Sequence, residues 1–230
     1  MILFVLLLLI FLACLASLYR EGMWGNALRL INVVTAALLA VNFFEPAARA
    51  LEGMGDFFGS FTYFLDFLCL WGLFVIFMLI LRGLTDTLSR VKVRFLKIAD
   101  QIGSVFFAAW TGWVLICFTM MSLHTAPLPR NFMMGQFDPE NAYMFMGLGP
   151  DRQWLGFVQG ESAGPFSRGL GQEEMQANRY KTNNPSEQGL AVFDAQAEFI
   201  PKYATRRANF EGAVSATGAF RVNAGSAPAR

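Results

Sequence analysis

The sequence predicts an all-α membrane protein with about four transmembrane helices and a largely irregular polar C-terminal tail. Hydrophobic residues make up 55% of the chain and charged residues only 15%, whereas soluble domains carry about 25% charged residues. The apolar residues are concentrated before Pro127, and glycine, proline and amide residues dominate after it. We therefore expect a four-helix transmembrane domain over residues 1–123 and an extracytoplasmic, partly disordered tail over residues 124–230.

Four apolar stretches are long enough to cross a bilayer, which takes about 20 helical residues. They run from Met1 to Tyr19, from Ala27 to Phe44, from Phe57 to Leu81 and from Gly103 to Leu123. The first stretch has neither a positively charged start nor a clear cleavage site of small residues. We therefore expect it to be retained as a helix and not removed as a signal peptide.

The basic residues predict the orientation, because cytoplasmic loops of membrane proteins are enriched in lysine and arginine. Five of the eight basic residues before Pro127 lie between the third and fourth stretches: Arg82, Arg90, Lys92, Arg94 and Lys97. This loop is therefore predicted to be cytoplasmic. With four spans, both termini then face the extracytoplasmic side.

The same loop has an apolar pattern of its own. Apolar residues recur at three- and four-residue steps, at Leu84, Leu88, Val91, Phe95 and Ile98. Such a stripe predicts an amphipathic helix lying in the membrane interface. Its basic residues would contact anionic lipid at about 1 kcal/mol each; they are Arg90, Lys92, Arg94 and Lys97. The alternative is a solvated connector.

Polar residues inside apolar helices are candidate functional sites, because burying them in lipid is costly. Arg29 lies near the cytoplasmic end of the second stretch, where its side chain can extend to the surface. Glu45, Asp66 and His124 all fall near the opposite surface. They could form a proton-linked cluster or simply be interfacial residues with hydrogen-bond partners. We expect Asp66 to have no basic partner at its depth, and Asp66→Asn to leave function near normal.

Small residues at four-residue spacing allow helices to approach closely. Ala36 with Ala40 and Ala108 with Gly112 fit this spacing, and Gly103 opens the fourth stretch. We expect these five residues to pack helices within one bundle. The alternative is that they mediate a homo-oligomer.

The chain contains one catalytic motif by letter, G-x-S-x-G at residues 160–164. This motif requires a preceding strand and a histidine later in the chain, but the single histidine, His124, lies upstream. We therefore predict that the protein is not an enzyme and has no catalytic, cofactor-binding or metal-binding residues. The net charge of +1 gives no support for nucleic-acid binding.

The arrangement of these segments resembles the colicin V production protein (CvpA) family over residues 1–123. The resemblance rests on the first hydrophobic helix, Arg20-Glu21-Gly22 before the second, a long third helix with a basic amphipathic end, and Asp100-Gln101-Ile102-Gly103 opening the fourth. It implies a bacterial inner-membrane protein that acts without catalysis in toxin production or export, or in envelope homeostasis. Lipid, a second copy of the chain or a membrane export partner would then be its contacts. The alternative is a small oligomeric channel or proton-linked transporter.

Overall fold

The computed structural model describes residues 2–19, 21–55, 61–89, 96–128, 137, 145, 147–167, 169 and 190–217. Within these residues the chain forms six helices. They are α1 (Ile2–Leu18), α2 (Gly22–Glu52), α3 (Thr62–Leu88), α4 (Lys97–Thr125), α5 (Pro150–Ser162) and α6 (Phe199–Thr217). An antiparallel bridge joins Gly169 to Leu190.

Three of these helices, α2, α3 and α4, are long and apolar enough to cross a membrane. Their 27 to 31 residues correspond to roughly 40–46 Å of helix, more than the hydrocarbon core of about 30 Å. Helix α1 is apolar but shorter, at 17 residues. The predicted all-α membrane fold class is confirmed, and the count of four spans depends on α1.

The first four helices form an antiparallel bundle in which α2 packs between α3 and α4, and α1 packs on α4. Leu3 and Leu7 at the start of α1 contact Ile116 and Met120 near the end of α4. The bundle therefore has two ends. We call the end with Glu52, Thr62 and Thr125 the tail-side end, and the end with Gly22, Leu88 and Lys97 the loop-side end.

Helix α2 is longer than predicted, because it continues through Pro46 to Glu52. An interior proline normally breaks a helix at a cost of about 3 kcal/mol. Here Phe44 and Ala48 on either side of it are fully buried, so packing offsets the lost hydrogen bond. Glu45 therefore lies inside the helix, and the prediction that the second stretch ends at Phe44 is wrong.

The predicted amphipathic stripe does not lie on one continuous helix. Leu84 and Leu88 belong to α3, and Ile98 belongs to α4, with Ser89 and Leu96 outside both helices. The hydrophobic pattern misled because it combines the end of one span with the start of the next. Residues 90–95, with Arg90, Lys92 and Arg94, lie outside the described residues.

Two helices of the tail pack against the tail-side end of the bundle. Helix α5 begins at Pro150, with proline in its first turn. Its buried face carries Trp154 and Val158, which join the main core. Helix α6 was not predicted, and it adds Phe199 and Tyr203 to that core. The bundle core therefore extends into the tail.

Candidate functional site

Polar residues meet at the tail-side end of the bundle, where three helices of the membrane domain contact α5 and α6. Glu45 of α2, Asp66 of α3 and His124 of α4 were singled out in the sequence. Each of them contacts a charged residue of the tail, Lys202, Arg206 or Asp151 respectively. We call these six residues the docking cluster, because they join the membrane helices to the tail helices.

Asp66 and Arg206 form the most deeply buried contact between oppositely charged residues in the cluster. Arg206 Nε lies 3.5 Å from Asp66 Oδ2, with side-chain exposures of 5% and 0%. The Arg206 Nη2 group also donates to the backbone oxygen of Thr62 at 2.8 Å, and the guanidinium lies 5.2 Å from the ring centroid of Tyr63. The prediction that Asp66 has no basic partner is therefore wrong. Its partner comes from the tail, which helix periodicity could not place.

Glu45 also contacts α6, at Lys202, which lies one helical turn before Arg206. Lys202 Nζ donates to Glu45 Oε1 at 2.6 Å, and both side chains are partly shielded, with exposures of 29% and 10%. Lys202 and Arg206 are four residues apart on α6, so they lie on one helical face. That face carries two cations, and α2 and α3 supply the matching carboxylates.

His124 completes the cluster through the other tail helix. Its Nε2 lies 3.0 Å from Asp151 Oδ2, and both side chains are almost fully buried. Asp151 is in the first turn of α5, where the positive end of the helix dipole favours a carboxylate. The Phe137 ring lies 4.8 Å from the imidazole. The contact fixes the start of α5 against the end of α4.

Each carboxylate of the docking cluster lies beside a basic side chain: Glu45 beside Lys202, Asp66 beside Arg206 and Asp151 beside His124. A buried charge is expensive, and removing one member of a buried pair costs about 3–5 kcal/mol because the other is left uncompensated. The three contacts therefore specify one seating of the tail on the bundle. The arrangement holds two folded parts together, and its ionisable side chains are engaged with each other.

A second polar site lies at the loop-side end. There Gly22 and Met23, at the start of α2, lie against Asp100 and Gly103, near the start of α4. The backbone N–H of Met23 donates to Asp100 Oδ1 at 2.9 Å, so Asp100 caps the start of α2 from α4. Gly22 has a φ of +78°, which favours glycine. A Cβ at Gly103 would lie 2.2 Å from Met23 Sδ. This glycine therefore permits close contact between α2 and α4.

The loop-side end is closed further by Asn26, which is fully buried. Its Nδ2 donates to the backbone oxygen of Leu18 at 2.9 Å and to Ser104 Oγ at 2.8 Å. One amide thereby joins α1, α2 and α4. Sequence reasoning missed Asn26, although an asparagine at this position in an apolar helix was a signal for an interhelical hydrogen bond.

The remaining predicted residues are placed as follows. Arg29 pairs with Glu21 at the loop-side end, and Lys97 is exposed in the first turn of α4. The five small residues predicted to pack helices are buried, or contact a neighbouring helix, within one copy of the chain. Ala36, Ala40 and Ala108 are fully buried, Gly103 contacts Met23, and Gly112 contacts Phe11 of α1.

Ser162 of the G-x-S-x-G motif is the last residue of α5. Its hydroxyl donates to the backbone oxygen of Gln159 at 3.0 Å and accepts from the backbone N–H of Phe193 at 2.8 Å. A nucleophile elbow places its serine between a strand and the start of a helix. Ser162 instead ends a helix and ties α5 to the segment before α6.

The fold and the docking cluster define an all-α membrane protein with a tail seated on one end of its bundle. The family model described as Colicin V production protein matches residues 3–138, more than half of the 230 residues. The chain therefore belongs to the colicin V production protein family. No curated protein and no solved structure matches it. The family match includes α1 to α4 and ends before α5, so the docking cluster joins family residues to residues beyond the match.

Proposed function

We propose that this protein is a non-enzymatic factor of the bacterial inner membrane that acts in the production or export of a colicin-type toxin, or in envelope homeostasis. The family membership supports this class of role. In the proposal, α1 to α4 form the membrane part and α5 with α6 form an extracytoplasmic cap. The protein acts through contacts with a membrane partner or lipid.

The observation that carries this proposal is the state of the intramembrane polar residues. Glu45 and Asp66 each face a tail cation, and His124 faces a tail carboxylate. A carboxylate of a transport pathway must reach water and change its charge during the cycle. Asp66 and His124 are completely buried, which favours a fixed scaffold over a moving proton carrier.

The proposed orientation follows from charge. Arg82 and Lys97 lie at the loop-side end and are exposed, as expected for a cytoplasmic face. The tail then lies on the extracytoplasmic side, where a partner of an export system or an envelope component could reach it. The basic residues of the loop would contact anionic lipid on the cytoplasmic side.

One observation favours the alternative role of a channel or proton-linked transporter. The buried contact between His124 and Asp151 combines two groups that can exchange a proton, and such pairs occur in the proton relays of membrane proteins. A pair that relays protons must titrate during function. A pair that only seats the tail need not.

Complementation separates the two roles. A strain lacking the gene is scored for toxin export and for envelope stress, with the full chain or its variants expressed at matched membrane levels. The scaffold role predicts that His124→Gln retains function once abundance is matched, because an amide can still donate to Asp151. It also predicts that Arg206→Ala loses function, because the tail is released. Loss of function in His124→Gln with normal abundance and a protease-resistant tail would refute the scaffold role and favour transport.

A further inference from the structure

Arg207 differs from its neighbours in the docking cluster, because no carboxylate of the described residues forms an ion pair with its buried guanidinium. Among the described residues, neither Nη1 nor Nη2 of Arg207 has a hydrogen-bond partner, and both atoms are buried. Its guanidinium lies 5.3 Å from the ring centroid of Phe137. Burial lowers the pKa of Arg207 to about 10, so the side chain is still charged at neutral pH.

The surroundings of Arg207 form a small recess that is partly open to the outside. It is lined by residues from α3, from the end of α4 and the segment just after it, and from α6: Tyr63, Thr125, Pro127, Tyr203, Arg206 and Arg207. The recess is about large enough for one oxygen-sized group. Any larger ligand would place one oxygen inside and remain at the opening with the rest.

The charges around the recess are unequal. Arg206 is neutralised by Asp66, so Arg207 supplies an excess positive charge. An uncompensated buried cation is costly, and an anion at the opening would remove that cost. A guanidinium N–H donates a charge-assisted hydrogen bond to a phosphate oxygen, and the recess admits one such oxygen.

The recess lies at the end of the spanning helices, at the level where lipid headgroups are expected. Thr125 is the last residue of α4, and Tyr63 is in the first turn of α3. Both helices exceed the thickness of the hydrocarbon core, so these residues lie where the chain leaves the apolar layer. Tyrosine is enriched at this level in membrane proteins.

The geometry points to a binding site for a phosphate-bearing anion at this recess, with one phosphate oxygen inside it beside Arg207 and the rest of the ligand at the opening. An anionic phospholipid headgroup and free phosphate share this chemistry. A bound headgroup would attach the tail helix α6 to the bilayer surface as well as to the bundle. This site lies at the opposite end of the bundle from Lys97 at the start of α4.

The test uses the full chain in detergent micelles, with thermal unfolding followed by tryptophan fluorescence. Short-chain phosphatidylglycerol, short-chain phosphatidylcholine and inorganic phosphate are titrated separately. A ligand that binds only the folded state at about five times its Kd raises the unfolding midpoint by about 3 °C. We expect phosphatidylglycerol to give this rise and phosphatidylcholine to give none. A rise with inorganic phosphate as well would show that the phosphate group alone is sufficient.

Variants assign the effect to Arg207. Arg207→Gln should abolish the rise, and Arg207→Lys, which keeps the positive charge on a side chain of different shape, should give a smaller rise than the parent. Arg152→Gln is the matched control, because Arg152 is an exposed cation on α5 that does not line the recess, and it should keep the full rise. The site is refuted if neither anion shifts the midpoint, if phosphatidylcholine acts as strongly as phosphatidylglycerol, or if Arg207→Lys and Arg207→Gln respond like the parent.

Discussion

Arg206 in the last described helix lies 3.5 Å from Asp66 near the start of the third helix. The contact joins the family region to the tail, because the family match ends at residue 138. Asp66 also shares its end of the bundle with Glu45 and His124, and each of these contacts the tail. Glu45, Asp66 and His124 therefore form one side of an interface between the membrane helices and the tail helices of the same chain. In the sequence they could be taken for a separate intramembrane cluster.

This contact changes the expected effect of Asp66→Asn. The sequence predicted near-normal function, on the premise of a carboxylate without a basic partner. With Arg206 buried beside it, the substitution leaves an uncompensated guanidinium and should destabilise tail docking by about 3–5 kcal/mol. Limited proteolysis of the full chain in micelles measures the effect, because an undocked α6 becomes cleavable.

A double variant tests whether the loss arises from the pair itself. In Asp66→Asn with Arg206→Gln, both charges are absent and the two amides can hydrogen-bond, so protease resistance should return in large part. Arg152→Gln serves as the control for losing a surface cation. If the double variant is as sensitive as the sum of the two single variants, the two residues do not act as a pair.

The second prediction concerns Gly103 at the loop-side end. Gly103→Ala places a Cβ 2.2 Å from Met23 Sδ, so Met23 or the helix must shift, at a cost of about 1–3 kcal/mol. We expect a lower unfolding midpoint and lower abundance in the membrane. Gly72→Ala is the matched control, because no atom lies within 4 Å of its Cβ position. It should unfold at or above the parent midpoint, since alanine favours the helix.

A second-site change makes this prediction specific. Met23→Ala removes the side chain that the new Cβ would meet, so the combination of Met23→Ala with Gly103→Ala should be more stable than the Gly103→Ala variant alone. If the double variant is less stable than either single variant, close contact between Met23 and Gly103 is not the reason that glycine is needed.

Several helices of this fold could be predicted from the sequence, because a spanning helix is recorded in one continuous apolar run. The helix ends were predicted less well. The second stretch was predicted to end at Phe44, although α2 continues through Pro46 to Glu52, with Phe44 and Ala48 packed in the core. Leu84 to Ile98 was taken as one stripe, although it includes the end of α3 and the start of α4.

The candidate site could be predicted only in half. The sequence shows that Glu45, Asp66 and His124 lie in or beside apolar stretches, where a polar side chain needs a partner. It does not show which residues those partners are. Thr62 and Arg206, which are hydrogen-bonded, are 144 residues apart, and no local pattern records such a contact. One signal was available in the tail. Arg206 falls on the same helical face as Tyr203 and Phe210, where a charged residue indicates a buried partner.

The third prediction concerns topology. Since the basic residues of the membrane domain concentrate between residues 82 and 97 of the sequence, a reporter inserted near Arg90 should score cytoplasmic and one fused after Arg230 should score extracytoplasmic. Alkaline phosphatase and a fluorescent protein give opposite signals at each site and so control for expression. The same location for both sites would show an even number of spans between them and would contradict a single crossing by α4. α1 lies before both sites, so it does not affect this comparison.

The final prediction is a pH dependence at Asp194, which lies outside the spanning helices. Its Oδ1 accepts from the backbone N–H of Phe199 at 2.8 Å, and so caps the start of α6. Burial raises the pKa of Asp194; Glu198 also raises it, whereas the hydrogen bonds and Lys202 lower it. A carboxyl whose pKa is raised on folding contributes stability at low pH, and that stability is lost as the pH rises through the folded-state pKa.

Asp194→Asn keeps the oxygen acceptor and removes this titration. The Asn variant should therefore be close to the parent in stability near pH 4, below or around the unfolded pKa of about 3.9, and should become more stable than the parent as the pH rises to 7. Asp194→Ala should lose stability at both pH values. It removes the cap at a cost of about 1 kcal/mol and places alanine at a φ of +51°, where a side chain without local hydrogen bonding is strained by about 1–2 kcal/mol.

Unfolding midpoints of the three proteins in micelles at pH 4 and pH 7 measure these differences, and other titrating groups cancel in the comparison of variants. An Asn variant that is less stable than the parent at pH 7 would mean that the charge on Asp194 stabilises the fold, through Lys202 or the start of α6, by more than its burial costs.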